Sequence, residues 1–137
     1  MYILDTNVVS ELRKGSRAES RVVEWVNALP TGALFISAIT VLELEQGILA
    51  MERRDPHQGA RLREWFENQV LPTFAYRTLA VDATVARCCA RLHVPDPRSE
   101  RDALIAATAL VHRMTVVTRN EKDFVQTGVQ LFNPWQD

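Results

Sequence analysis

Acidic side chains stand at four places in this chain where the neighbouring residues are apolar or helix-forming. Asp5 interrupts the opening run Tyr2-Ile3-Leu4-Asp5-Thr6-Asn7-Val8-Val9, and Glu43 lies among Leu42, Leu44, Ile48 and Leu49. Asp102 heads the stretch Asp102-Ala103-Leu104-Ile105-Ala106-Ala107, and Asp123 follows Asn120 in Val117-Thr118-Arg119-Asn120-Glu121-Lys122-Asp123-Phe124. A carboxylate withdrawn from water costs several kcal/mol unless a cation or hydrogen-bond donors compensate it. Singly, each has an ordinary structural reading. Asp5 suits a turn that feeds the next amides, Glu43 a half-exposed helix position, and Asp102 a first helical turn favoured by the helix dipole. As a set they offer oxygen ligands to hard divalent cations such as Mg²⁺ and Mn²⁺, which take carboxylates plus water. Without a cation, such like charges raise one another's pKa. Paired ions about 3.5–4 Å apart activate a water and stabilise both the attacking and leaving oxygens of a phosphodiester, with no need of His or Cys. His57, His93 and His112 fall in a breaker loop and at two helix ends, with no shared ligand spacing, and are not read as metal ligands.

The elements needed to gather these groups can be read along the chain. Tyr2 to Val9 predicts a buried first strand, and Ser16 caps a predicted helix through Leu29, stopped by Pro30-Thr31-Gly32. Ala33 to Ser37 predicts a second strand, Ile39 to Arg53 a helix ended by Asp55-Pro56-His57, and Gln58 to Val70 a third helix. Phe74 to Val81 reads as a strand, followed by a helix that Asp82 caps and that runs through Leu92. Pro95 and Pro97 forbid its continuation. Asp102 opens a strongly apolar, buried helix, Met114 to Thr118 is a strand, Asn120 to Phe124 a turn or short helix, and Val129 to Phe132 a last strand. This alternation predicts an α/β layered domain with a five-stranded, mainly parallel sheet. In such sheets ligands bind beyond the carboxyl ends of the strands, where Asp5, Glu43, Asp102 and Asn120 with Asp123 collect. On the Glu43 helix face, Gln46 and Gly47 follow at i+3 and i+4, and the glycine leaves room beside the carboxylate.

Bulk properties narrow the function classes. The 137 residues, 47% apolar and 24% charged, fit one ordinary domain over 1–137 rather than a disordered chain or a stapled mini-protein. A net charge of −1 gives no global reason to bind nucleic acid or an anionic membrane, so any such binding is local. Two cysteines, the neighbours Cys88 and Cys89, make no disulfide framework, and a reducing, cytoplasmic setting fits best. The start lacks a basic leader, and no apolar run is long enough for a transmembrane helix.

Four segments together resemble PIN-domain ribonucleases, and more closely the VapC-type toxins of bacterial toxin–antitoxin pairs, including the FitB-like branch. They are Ile3-Leu4-Asp5-Thr6-Asn7-Val8-Val9-Ser10-Glu11-Leu12, then Ser37-Ala38-Ile39-Thr40-Val41-Leu42-Glu43-Leu44 with Gly47, then Asp102-Ala103-Leu104-Ile105-Ala106-Ala107-Thr108-Ala109, and last the stretch from Val117 to Phe124. The likeness spans nearly the whole chain. It implies a five-stranded parallel sheet flanked by helices, with Asp5, Glu43 and Asp102 as carboxylate ligands of Mg²⁺, or Mn²⁺ in its place. It also implies RNA cleavage leaving a 5′-phosphate and a 3′-hydroxyl, a homodimer, and a cognate antitoxin through which the pair contacts promoter DNA. One departure stands out: many members carry a fourth acidic residue at the place of Asn120. Asn120 offers a neutral carbonyl or a water-orienting amide, while Asp123 reaches the metal directly or through water. Thr6, Asn7 and Thr118 are placed to orient the carboxylates or to contact substrate phosphate.

Arg98, Arg101 and Arg119 flank the acidic groups in sequence and are the candidates for local RNA contacts. A second reading, supported by Asn120, is a catalytically weak PIN scaffold that binds an antitoxin and joins a DNA-binding repressor complex. The stretch from Ser16 to Val70, with Trp25, Trp65 and Phe66, would then supply the apolar surface. A phosphatase or receiver domain fits poorly, because Asn7 stands where the phosphatase motif needs a second Asp, and Asp55 sits in a helix-ending breaker rather than at a strand end.

Overall fold

Five short strands pair side by side, all parallel, in the order β3-β2-β1-β4-β5. In this computed structural model, which describes residues 1–136, they are β1 (Tyr2–Leu4), β2 (Leu34–Ser37), β3 (Thr78–Leu79), β4 (Thr115–Val117) and β5 (Leu131–Phe132). The helices are α1 (Thr6–Leu12), α2 (Ser20–Asn27), α3 (Ala38–Arg54), α4 (Pro56–Trp65), α5 (Leu71–Thr73), α6 (Ala83–Leu92) and α7 (Glu100–His112). Ile3, Leu4, Ile36, Val116 and Val117 are wholly buried on the two sheet faces. On one face they meet Val8, Val22, Ile48 and Phe66, and on the other Ile105, Ala106, Ala109 and Phe124. The alanines of α7 let it lie close against the sheet and against α6.

Several boundaries differ from the sequence reading, each for a local reason. β1 stops at Leu4 instead of running to Val9, because Asp5 caps a helix, its carboxylate accepting the Thr6 amide at 2.8 Å. Val8 and Val9 are buried from a helix face, not from a strand. Ser16 caps nothing: Gly15 takes a left-handed φ of 59° and opens a 3₁₀ turn, Gly15–Arg17, so α2 begins only at Ser20. Asp55-Pro56 ends α3 and also starts α4, Asp55 capping and Pro56 occupying the first turn. Gly59 is forced by this hairpin, since a Cβ there would lie 2.6 Å from the Glu52 backbone. The helical path then continues through a π turn, Phe66–Val70, into α5. β3 is only two residues long because Phe74 to Arg77 turn, with the Arg77 guanidinium bonded to the carbonyls of Thr31, Leu34 and Thr73. α7 begins at Glu100, which places Asp102 within its first turn.

Glu11 ties the α1–α2 connection. It is 7% exposed, with Oε2 accepting the Glu19 amide at 2.8 Å and Oε1 accepting from Lys14 Nζ at 3.0 Å. The Glu19 amide and then Lys14 hold its carboxyl below the usual value of 4.5. This contribution to stability is therefore complete above that value and is lost as pH falls through the lower folded value. Glu11→Gln should cost about 1 kcal/mol at neutral pH and make thermal stability less sensitive to acid than in the wild type. An unchanged acid dependence would contradict this role.

Candidate functional site

The strand order reverses at β1. The chain builds β2 and β3 to one side, then returns to build β4 and β5 on the other, so the loops leaving β1 and β4 part and open a crevice at the carboxyl edge. Asp5 leaves β1 and Thr118 leaves β4. The buried Thr118 hydroxyl crosses the gap and donates to Asp5 Oδ2 at 2.8 Å. Asn7 Nδ2 donates to the same oxygen at 3.2 Å and lies 3.3 Å from the Thr118 hydroxyl, while Asn7 Oδ1 accepts the Arg119 amide at 3.3 Å. The Asn120 amide donates to Thr118 Oγ1 at 3.0 Å. With the Thr6 amide on Oδ1, the Asp5 carboxylate is fixed by three donors.

Glu43 approaches from α3, whose start is set at the end of β2 by Ser37 accepting the Ile39 amide. The Thr6 hydroxyl donates to Glu43 Oε1 at 2.6 Å and lies 3.1 Å from the hydroxyl of buried Thr40. One threonine thus links two carboxylates, since its amide serves Asp5 and its hydroxyl serves Glu43. Asp102 projects from the first turn of α7, with the Ser99 hydroxyl as a hydrogen-bond partner. Thr40 and Ser99 were not singled out by the sequence reading; both are ordinary polar residues whose role depends on packing.

These carboxylates act on one another electrostatically. Burial raises the Asp5 carboxyl above the usual range against the pull of Thr118 and Thr6, and Glu43 and Asp123 push in the same direction. Burial also pushes Asp102 up to about 6, reinforced by Asp5, Asp123 and Glu43. Among the described residues no lysine or arginine is ion-paired with Asp5, Asp102 or Asp123, and Arg101 lies 3.8 Å from Glu43 Oε2. Asp123 and Asn120 are both exposed; Asp123 shares a depression with Asp102, and Asn120 engages Thr118 through its backbone. Four acids with one arginine beside them leave an excess of carboxylate oxygen donors, whose chemistry fits a hard divalent cation.

Two depressions adjoin this crevice. One is lined by Asp102, Asp123, Ser99, Arg98 and Lys122. The other runs past Thr6, Glu43, Gly47, Arg13 and Trp65, and a Cβ on Gly47 would meet open space, in keeping with the room expected there. Of the three arginines expected near substrate, Arg101 lies beside Glu43 and donates to Gln46 Oε1 at 2.6 Å. Arg98 is turned to the Leu92 carbonyl at 2.9 Å, and Arg119 stacks over Trp135 at 5.4 Å. Of the three aromatics considered as an apolar surface, Phe66 is core and Trp25 packs between Tyr2 and Phe132. Trp65 lines the depression. Cys88 and Cys89 are free and buried, as expected of a helix face. No helix among the described residues is long and apolar enough to cross a membrane.

The fold and site define a parallel α/β protein with an acidic crevice at its topological switch point. The chain belongs to the PIN domain family, whose model matches residues 2–129. It is 38% identical to Toxin FitB of Neisseria gonorrhoeae over 143 aligned positions that cover 100% of both chains. Against the VapC ribonuclease Y4jK of Sinorhizobium fredii it is 38% identical, covering 99% of each. Its fold matches the crystal structure of FitAcB from Neisseria gonorrhoeae with a TM-score of 0.91 and 36% identity over 100% of both chains. A second match, with a TM-score of 0.90 and 36% identity over 100% of this chain and 97% of the other, is the structure of FitAB bound to an IR36 DNA fragment.

Proposed function

We propose that this protein is a divalent-cation-dependent endoribonuclease that acts in the cytoplasm as the toxin of a toxin–antitoxin pair. The observation that carries the reading is the convergence of Asp5, Glu43, Asp102 and Asp123 on one sheet edge, where Arg101, beside Glu43, is the one cation paired with any of them among the described residues. The names of the FitB and VapC relatives, similar over their full length, support it. Asp5, Glu43 and Asp102 would hold Mg²⁺, or Mn²⁺ in its place, and Asp123 with Asn120 would complete the rim. The ion supplies Lewis acidity, activating water and offsetting charge on the phosphodiester. Thr118, Asn7 and Thr6 keep the Asp5 oxygens aimed at one point, Thr6 also restrains Glu43, and Asp102 is available to take a proton from the attacking water. Lys122 and Arg13, which line the two depressions, and Arg101, beside Glu43, would draw the RNA phosphates toward the crevice.

The FitA–FitB and VapBC neighbours are complexes, and this chain by analogy pairs with an antitoxin, acts as a homodimer, and meets DNA through that antitoxin. The competing scaffold reading rested on Asn120. Asp123, whose charge is felt by both Asp5 and Asp102, would stand in for the acid absent at Asn120, and this favours the hydrolase reading. The test is incubation of the antitoxin-free protein with structured and single-stranded RNAs in Mg²⁺, in Mn²⁺ and in chelator. Cleavage that appears with the cation and vanishes with chelator is expected. A folded protein that cuts equally in chelator would defeat the proposal.

Thr118→Val supplies a finer check, because it removes the hydroxyl that aims Asp5 while keeping size and β-branching. Loss of an orienting partner of this kind costs about 10- to 100-fold. The fall should appear in kcat with RNA affinity nearly unchanged; a change confined to KM would place Thr118 in substrate binding.

A further inference from the structure

At the corner between α6 and α7 the fold assembles a second cluster of ligand-bearing side chains, of a different chemistry from the acidic crevice. Cys89 and His93 are four residues apart at the end of α6 and share one side of it. Glu100 opens α7 and faces them: its Oε1 lies 3.7 Å from Cys89 Sγ and its Oε2 3.5 Å from His93 Nε2. One ligand atom from each residue falls within 4.8 Å of the others. Glu100 and Asp102, two residues apart on one helix, point to different sides of it.

Two observations set this cluster apart from a chance ion pair. His93 Nε2 is cut off from solvent and has no hydrogen-bond partner, an orphaned atom aimed at the thiol and the carboxylate. The spacing is also within reach of a tetrahedral ion: Zn–S of about 2.3 Å with Zn–N and Zn–O of about 2.0–2.1 Å puts neighbouring ligand atoms about 3.3–3.7 Å apart, so ligand atoms already within 4.8 Å of one another need only a small side-chain closure to meet it. Glu100 is 72% exposed, which leaves a water-accessible fourth position.

We propose that Cys89, His93 and Glu100 form a binding site for a thiolate- and imidazole-preferring transition-metal ion of the Zn²⁺ class, separate from the hard-cation crevice. One thiolate, one imidazole and one carboxylate select Zn²⁺ over Mg²⁺. On binding, the Cys89 thiol gives its proton to solvent. His93 Nδ1 accepts the Arg98 amide at 3.3 Å, which leaves the ring proton on Nε2. Capture of the ion moves that proton to Nδ1, so the Arg98 amide must turn away. An ion held there would staple the end of α6 to the first turn of α7.

The probe is Co²⁺ titrated into the full, chelator-stripped chain, with Zn²⁺ as competitor. The wild type should develop a near-ultraviolet thiolate-to-cobalt absorption band that saturates at one ion per chain and is erased by Zn²⁺. Cys89→Ser should abolish the band. His93→Gln, which leaves the thiol and the helix in place, should raise the free Co²⁺ needed for half-saturation by at least about tenfold. Cys88→Ser and Asp102→Asn should keep the wild-type band. The proposal is overturned if the folded wild type shows no band, if His93→Gln binds as tightly as wild type, or if Cys88→Ser loses the band, since the last result would assign the thiolate to the neighbouring cysteine. Circular dichroism on each variant separates lost binding from lost folding.

Discussion

Asp102→Asn should lower the rate of RNA cleavage on the order of 10³-fold or more, about 4 kcal/mol of transition-state stabilisation, while the protein stays folded. The asparagine keeps the shape of the aspartate and removes one negative charge from a set of four. In the first turn of α7 Asp102 is half-buried, so the change creates no cavity. Asp5→Asn should lose as much activity. It carries a structural cost as well, because the Asp5 carboxylate accepts from the Thr6 amide, the Thr118 hydroxyl and Asn7, and an amide can no longer accept all three. Asp102→Asn is therefore the cleaner variant. Single-turnover cleavage at saturating protein measures the effect directly, and a loss smaller than tenfold in both variants would remove these residues from the chemistry.

The same carboxylates should make the metal-free protein less stable than it would be without them. The folded Asp102 carboxyl titrates at about 6, against 3.8 for the free side chain. A carboxyl raised on folding stabilises the fold only while protonated, so its contribution is present below 3.8 and is lost as pH rises through about 6. The whole shift is equivalent to about 3 kcal/mol; with the group partly open to water, about 1–2 kcal/mol is the expected share. In chelator at pH 7.5, Asp102→Asn should unfold a few degrees above the wild type, and the two should converge as pH falls below 3.8. Mg²⁺ should then raise the wild-type melting temperature more than that of the variant, because a ligand that binds only the folded state stabilises it by mass action. A variant less stable than the wild type in chelator would show that Asp102 is held by favourable contacts rather than strained by its neighbours.

Much of this site was legible because burying charge is costly. Asp5, Glu43 and Asp102 stood out as acids among apolar residues, and strand-then-helix alternation was enough to put them at one edge of a parallel sheet. Helix α6 was readable from its cap, Asp82, and α3 from its run of Leu, Glu and Ala, while the Ser37 cap of α3 was hidden in a residue that also ends β2. Asp5 itself was misread in one respect: Val8 and Val9 suggested a continuing strand, but the carboxylate that makes the site also caps the helix, and a cap ends a strand. Ser16 failed because a glycine with positive φ precedes it, a backbone state the serine does not signal. The length of β3 depends on Arg77 binding three carbonyls, a tertiary event invisible in local propensity. His93 looked unrelated to any ligand because its partners lie across an interhelical corner, and only Cys89 is at helical spacing.

The roles of Asn120 and Asp123 show the same limit. The family resemblance marked Asn120 as the place of an absent acid, whereas only the folded chain shows that Asp123, at the end of the short 3₁₀ turn Glu121–Asp123, shares a depression with Asp102.

The central claim is that one hard cation sits among Asp5, Glu43 and Asp102. The most direct measurement is anomalous diffraction from crystals equilibrated with Mn²⁺. The account predicts a peak in the crevice within ligand distance of the Asp5 and Asp102 carboxylates, and none in Asp102→Asn crystals treated alike. A wild-type crevice without a peak at saturating Mn²⁺, or an undiminished peak in the variant, would contradict it.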